Sequence, residues 1–303
     1  MRKGFLKLLV PIVPSVILFF LIRDIYRNWS EIRAYAVNIN YLWIFLSYLG
    51  FLIATLIMTV NWHLLLKKLK THIDLKASIA IWSVSTLGKY IPGKGWQFVS
   101  IVYISKKFGV SYSKSLSASL MGQIFSIISG LIVGFSVLRP YIPSPLMAVI
   151  LAASLIFIYP DFLNRLTGFL SRLTGKQVAK IDLSLKDTLE VTSIYLTGWL
   201  FFGLSLNFLL FSIYPNWGFQ IFYSAKIFVS SYLIGLFAIF VPGGIGVREG
   251  IMAVLLAKSL PSHLAPFIAL FTRLVVTLSE ITLTFYGLYF LNKSGFSIIK
   301  KNE

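Results

Sequence analysis

Seven ionisable side chains interrupt otherwise apolar stretches of this chain: Lys89, Lys94, Lys226, Arg248, Glu249, Arg273 and Glu280. A charge in hydrocarbon is costly, so each needs a partner or a wet cavity and is a candidate for function. Lys89 and Lys94 flank Pro92-Gly93, and Arg248-Glu249 follow Pro242-Gly243-Gly244. Proline and paired glycines cannot continue a helix, so each cluster marks a break with a new helix starting near Gly95 or Gly246. The first N–H groups of such a helix have no intrahelical partner and favour anions. With Lys89, Lys94, Arg248 and Arg273 added, and Gly93, Gly243 and Gly244 allowing close backbone approach, the pattern predicts a phosphate or phosphodiester site.

Glu249 and Glu280 are read as counter-ions, as titrating groups that couple movement to protons, or as acceptors for an amine on the ligand. Arg273 and Glu280 lie seven residues apart, two turns along one helix face. A purely structural alternative stays open, in which the lysines reach back to an interface and the arginines only neutralise the two glutamates. Lys226 fits that snorkelling role. Asn61 and His63 read as polar helix-end groups, Gln97 and Gln123 as interhelical hydrogen-bonding groups, and the tryptophans as interface belt or packing.

Enzyme signatures are sparse. The chain has no Gly-x-Ser-x-Gly, no Walker loop, no His-Glu-x-x-His and no Asp-x-Asp pair. It has no cysteine, and His63, His72 and His263 lack metal-ligand spacing. No enzyme activity, cofactor or metal is therefore expected.

The elements that must hold these charges are membrane spans. Of 303 residues, 57% are hydrophobic and 13% charged, with mean hydropathy +0.82. The net charge of +18 borders apolar runs instead of forming a basic domain, which points to the positive-inside bias and not to nucleic acid. About 20 apolar residues cross a bilayer, and six stretches approach that length: 5–22, 41–65, 116–138, 146–159, 190–212 and 266–291. The first follows a basic start without a cleavage site and reads as a retained signal anchor; the fourth is short.

Residues 76–107 and 220–259 are broken by the two Pro-Gly clusters and read as re-entrant hairpins. Lys67, Lys68, Lys70, Lys76, Lys106 and Lys107 put the first hairpin's base on the cytoplasmic side, whereas 214–220 carries no Lys or Arg and puts the second on the opposite face. The sequence thus predicts an all-α polytopic protein of the cytoplasmic (inner) membrane, with about six spans, two hairpins and both termini cytoplasmic. Arg23, Arg27, Arg33 and Lys258 run against the charge rule. Residues 1–303 form one membrane domain of two inverted halves, about 1–140 and 141–303, meeting at the Pro92 and Pro242 tips. Residues 23–40 and 161–180 are expected to lie along the two surfaces.

The runs Gly88-Lys89-Tyr90-Ile91-Pro92-Gly93-Lys94-Gly95-Trp96-Gln97 and Pro242-Gly243-Gly244-Ile245-Gly246-Val247-Arg248-Glu249 resemble the two signatures of the lysylphosphatidylglycerol synthase transmembrane-region family, and Phe271-Thr272-Arg273-Leu274 is similar to its next arginine-containing segment. The likeness runs from about Leu6 to Leu291. It implies a flippase-like domain moving a polar-headed lipid, either a phospholipid derivative or a polyprenyl-phosphate-linked glycan precursor. A lipid-glycosylating or aminoacylating enzyme is then the expected protein partner. Two departures stand out: the chain stops at Glu303 without the aminoacyl-transferring domain, so lysine transfer is not expected, and Gly122-Gln123 stand where some relatives carry a charge. Two rivals follow: a membrane component of a glycosyltransferase or lipid-modifying system, and a permease for a small soluble anion.

Overall fold

The computed structural model describes residues 39–91, 95–138, 183–238 and 241–294, with scattered positions in 19–33 and 142–172. Among these residues the fold is helical, without strands. Its long helices are α1 (Tyr41–Lys68), α4 (Tyr112–Gly134), α5 (Leu185–Ile213) and α8 (Leu264–Lys293). All four are long and apolar enough to cross a membrane, and they coincide with the predicted spans at 41–65, 116–138, 190–212 and 266–291. The predicted spans 5–22 and 146–159, and the surface segment 161–180, fall almost wholly outside the described residues.

Between the long helices lie the two broken segments. The first is α2 (Leu75–Thr86), a 3-10 turn over Leu87–Tyr90, and α3 (Trp96–Lys107). The second is α6 (Ile221–Phe237), a 3-10 turn over Pro242–Gly244, and α7 (Val247–Leu256). Each limb of the first has 12 residues, about 18 Å, well short of the hydrocarbon thickness. Proline at the start of the second turn and positive φ at Gly243, Gly244 and Gly246 explain why the helix stops there. The order long helix, broken pair, long helix occurs twice, α1 to α4 and α5 to α8.

Small residues and side-chain hydroxyls set the packing. The α1–α5 seam joins Ser47 Oγ to the Ser205 carbonyl at 2.7 Å, Met58 to Gly198, and Asn61 Nδ2 to the Val191 carbonyl at 3.2 Å. One index rises as the other falls, so the two helices are antiparallel. Gly203 lies so close to α6 that a Cβ there would come within 2.5 Å of the Ala225 backbone. Gly130 and Gly134 of α4 receive Val229 and Ser230 of α6 in the same way. Small-residue contacts of this kind let helices approach where apolar burial alone gives no preference for protein over lipid.

The buried core contains Trp62, Trp199 and Trp217. The Trp62 indole donates to Ser119 Oγ at 3.0 Å, and that of Trp199 to the Ser126 carbonyl and Ser129 Oγ at 3.2 and 3.1 Å. These residues therefore pack helices instead of forming a belt, whereas Trp96 is half exposed. His63 Nδ1 lies 2.8 Å from Ser78 Oγ, tying α1 to α2. At the far end of α1, Lys68 pairs with Asp187 and Glu190 of α5 at 2.5 and 2.7 Å.

Candidate ion-paired site between the two helix breaks

The α2–α3 and α6–α7 breaks meet. A Cβ on Gly243 would lie 3.3 Å from both the Tyr90 ring and Arg273 Nη2, so that glycine, at φ 59°, lets the second tip sit against the first and against α8. Helix α8 is the shared wall. It runs antiparallel to α2, with Thr284 Oγ1 donating to the Ser83 carbonyl at 3.1 Å and Gly287 packed on Ala80.

Five of the seven ionisable residues singled out in the sequence converge here. Lys89 Nζ lies 2.5 Å from Glu280 Oε1, and the Tyr90 hydroxyl donates to Glu280 Oε2 at 2.9 Å. Arg273 Nε faces Glu249 Oε1 at 3.4 Å, and its Nη2 reaches the Gly243 carbonyl at 3.5 Å. Arg273 and Glu280 share a face of α8 as their spacing predicts, yet each takes its nearest opposite charge from a different broken helix. Glu249 is almost wholly buried, and its Oε2 accepts the Gly246 N–H at 2.5 Å. The helix end expected to offer that N–H to a ligand is thus capped by its own third residue. The reason is local: a carboxylate at N3 curls back on the N-cap backbone.

Arg248 differs from the other two cations. Its guanidinium lies over the Tyr232 ring, 4.0 Å from the centroid, and its stem occupies a slot that Cβ atoms at Gly235 or Gly244 would fill. No carboxylate forms an ion pair with it among the described residues, and its buried Nε has no hydrogen-bond partner there. Three cations therefore meet two carboxylates that other groups already hold. Pro242, Gly243 and Gly244 form the tip itself; Pro92, Gly93 and Lys94 lie outside the described residues. Lys226 is half-buried on α6.

Two cavities flank the ion pairs and share Phe202, Tyr232 and Glu280 as walls. The first, about 50 Å³, contains Arg248, Glu249 and Arg273. The second, about 100 Å³, is lined by Lys89, Gln97, Gln123 and Tyr195 among others. Tyr90 and Tyr232 escaped sequence reasoning because an isolated aromatic in an apolar run carries no signal of its own; only the adjacency of Tyr90 to Lys89 hinted at it. Among the described residues no cluster of His, Asp or Glu could hold a metal.

Residues 5–282 match the family described as Lysylphosphatidylglycerol synthase TM region. No curated protein and no solved structure matches the chain.

Proposed function

Because the chain belongs to the lysylphosphatidylglycerol synthase TM-region family, a multi-pass, lipid-related membrane family, we propose that it is a carrier, not an enzyme, that moves an anionic polar-headed lipid across the cytoplasmic membrane. The supporting observation is the meeting of the two helix breaks at a group of three cations and two carboxylates in which Arg248 has no carboxylate of its own. A phosphodiester satisfies such a guanidinium through charge-assisted hydrogen bonds, and the excess positive charge makes an anion the favoured occupant.

The inverted-repeat reading, with halves of about 1–140 and 141–303, draws support from the twice-occurring helix order and from the antiparallel run of α1 and α5, which occupy corresponding places in it. In such carriers the halves rock about a central site, and discontinuous helices supply it. Here the ion pairs Lys89–Glu280 and Arg273–Glu249 join each broken helix to α8, so rocking must exchange or loosen them. In this reading both termini lie in the cytoplasm, as the charge distribution of the sequence suggests, and a lipid-modifying enzyme is the natural source or consumer of the cargo.

The test is translocation of fluorescent anionic phospholipids in proteoliposomes holding the purified, folded chain. Movement above protein-free vesicles supports the carrier; none refutes it. Arg248→Gln is expected to slow movement at least about tenfold, since one lost charge-assisted hydrogen bond is worth roughly 1.5–3 kcal/mol. Arg248→Lys should not restore it, because an ammonium cannot reproduce the planar fork lying on Tyr232.

A further inference from the structure

The two glutamates decide what kind of headgroup the site takes. Both Glu280 oxygens are engaged, one by Lys89 and one by Tyr90; Glu249 Oε2 accepts the Gly246 N–H, and its buried Oε1 makes no hydrogen bond but lies 3.4 Å from Arg273 Nε. The ionised groups lining the two cavities are Lys89, Arg248 and Arg273 against Glu249 and Glu280. Each carboxylate already faces a cation of the protein, so an ammonium on the ligand would add to an existing excess of positive charge, and Lys89, which lines the second cavity, repels one. The same second cavity offers uncharged polar groups. The amides of Gln97 and Gln123 come from α3 and α4, and the Tyr195 hydroxyl from α5. That hydroxyl has room only because position 122 is glycine, where a Cβ would lie 2.8 Å from it. Amides and a phenol can both donate to and accept from hydroxyls. Trp82 adds an apolar wall.

From this arrangement we infer that the cargo is a phosphodiester lipid whose headgroup beyond the phosphate is hydroxylated and uncharged: the phosphate is held on the Arg248 side and the hydroxyls enter the Gln97–Gln123–Tyr195 cavity. The inference rests on the carrier reading and specifies its substrate class. It excludes a headgroup bearing an amino acid, since that would bring an unpaired ammonium beside Lys89.

Three lipids of one acyl composition separate the possibilities. Phosphatidylglycerol carries hydroxyls and one negative charge; phosphatidylethanol has the same phosphodiester without hydroxyls; lysyl-phosphatidylglycerol adds the amines. Binding of each to the purified full chain is measured by native mass spectrometry, with glycerophosphoglycerol as a soluble competitor. The expected order is phosphatidylglycerol about tenfold tighter than phosphatidylethanol, with lysyl-phosphatidylglycerol weakest, one net hydrogen bond or two accounting for the first gap. Gln123→Leu and Gln97→Leu should bring phosphatidylglycerol to the level of phosphatidylethanol and leave phosphatidylethanol unchanged.

Lysyl-phosphatidylglycerol binding as tightly as phosphatidylglycerol, or no preference of the wild-type chain for hydroxyls, overturns the inference while leaving an anionic-lipid carrier standing. Should either leucine variant misfold, the ranking by the wild-type chain still decides. Failure of all three lipids to bind overturns the carrier reading itself. Equal affinity for the soluble competitor overturns the lipid reading in favour of a small-anion permease, while upholding the headgroup chemistry.

Discussion

Removing the charge of Glu280 is expected to cost more than removing the whole pair it belongs to. Lys89 Nζ lies 2.5 Å from Glu280 Oε1, with the two side chains 19% and 12% exposed. At an effective dielectric constant near 20, the gross attraction at that separation is about 7 kcal/mol, offset by several kcal/mol of desolvation for each ion. The net worth of the pair is therefore small. Its breakage is not, because Glu280→Gln leaves a largely buried ammonium with no counter-charge and weakens the Tyr90 hydrogen bond. A loss of about 3–5 kcal/mol follows for the single variant. Lys89→Met/Glu280→Gln removes the stranded charge and should recover all but about 1 kcal/mol. The measurement is a double-mutant cycle on unfolding in mixed micelles, titrated with sodium dodecyl sulfate and followed by circular dichroism. A single-variant loss below about 1 kcal/mol, or a double variant as unstable as the sum of its parts, would show that the two charges do not depend on each other.

Further expectations are more local. Gly243→Ala places a Cβ at φ 59° and 3.3 Å from Tyr90 and Arg273; it should cost about 1–2 kcal/mol and, by prising the tips apart, slow lipid movement more than it lowers stability. Gly203→Ala overlaps the Ala225 backbone and should destabilise by about 1–3 kcal/mol in the same unfolding assay without altering the preference among headgroups. Lys68→Ala, by contrast, removes an ion-paired group at a helix end whose partners are 29% and 47% exposed, and its measured cost should stay within about 1 kcal/mol and shrink with added salt.

What the sequence disclosed depended on the range of the signal. Pro242-Gly243-Gly244 ends a helix for reasons contained in those residues, so the second break falls inside the predicted stretch and α7 begins next to Gly246. The same holds for the four long helices, each a long and predominantly apolar run. Pairings were not legible. Lys89 and Glu280 are separated by 191 positions, and nothing in either neighbourhood identifies the other; the one-helix spacing of Arg273 and Glu280 suggested a closer relation than the structure has. Glu249 was a nearer miss. A carboxylate three residues into a helix is a known capping signal, but glycine instead of serine or threonine at the N-cap concealed half of the box. The tryptophans left two readings open, interface belt or packing, for a related reason: an indole suits an interface by chemistry, and only the serines of α4 at 119, 126 and 129 explain why Trp62 and Trp199 sit inside.

The seating of α2 against α8 also bears on how the protein is made. Ser83 and Ala80 find their partners in Thr284 and Gly287, so the first broken helix cannot adopt its final position until the last long helix has been synthesised. At roughly 5–20 residues per second, Lys89 waits about 10–40 s for Glu280. During that interval a nascent chain holds a lysine at a helix break with no native counter-ion, and its segment must remain near the headgroups or within the insertion machinery. A chain arrested before Glu280 should therefore leave Cys substituted at position 89 open to a water-soluble maleimide, and the finished chain should protect it. The order of synthesis makes closure of this site one of the last steps of assembly.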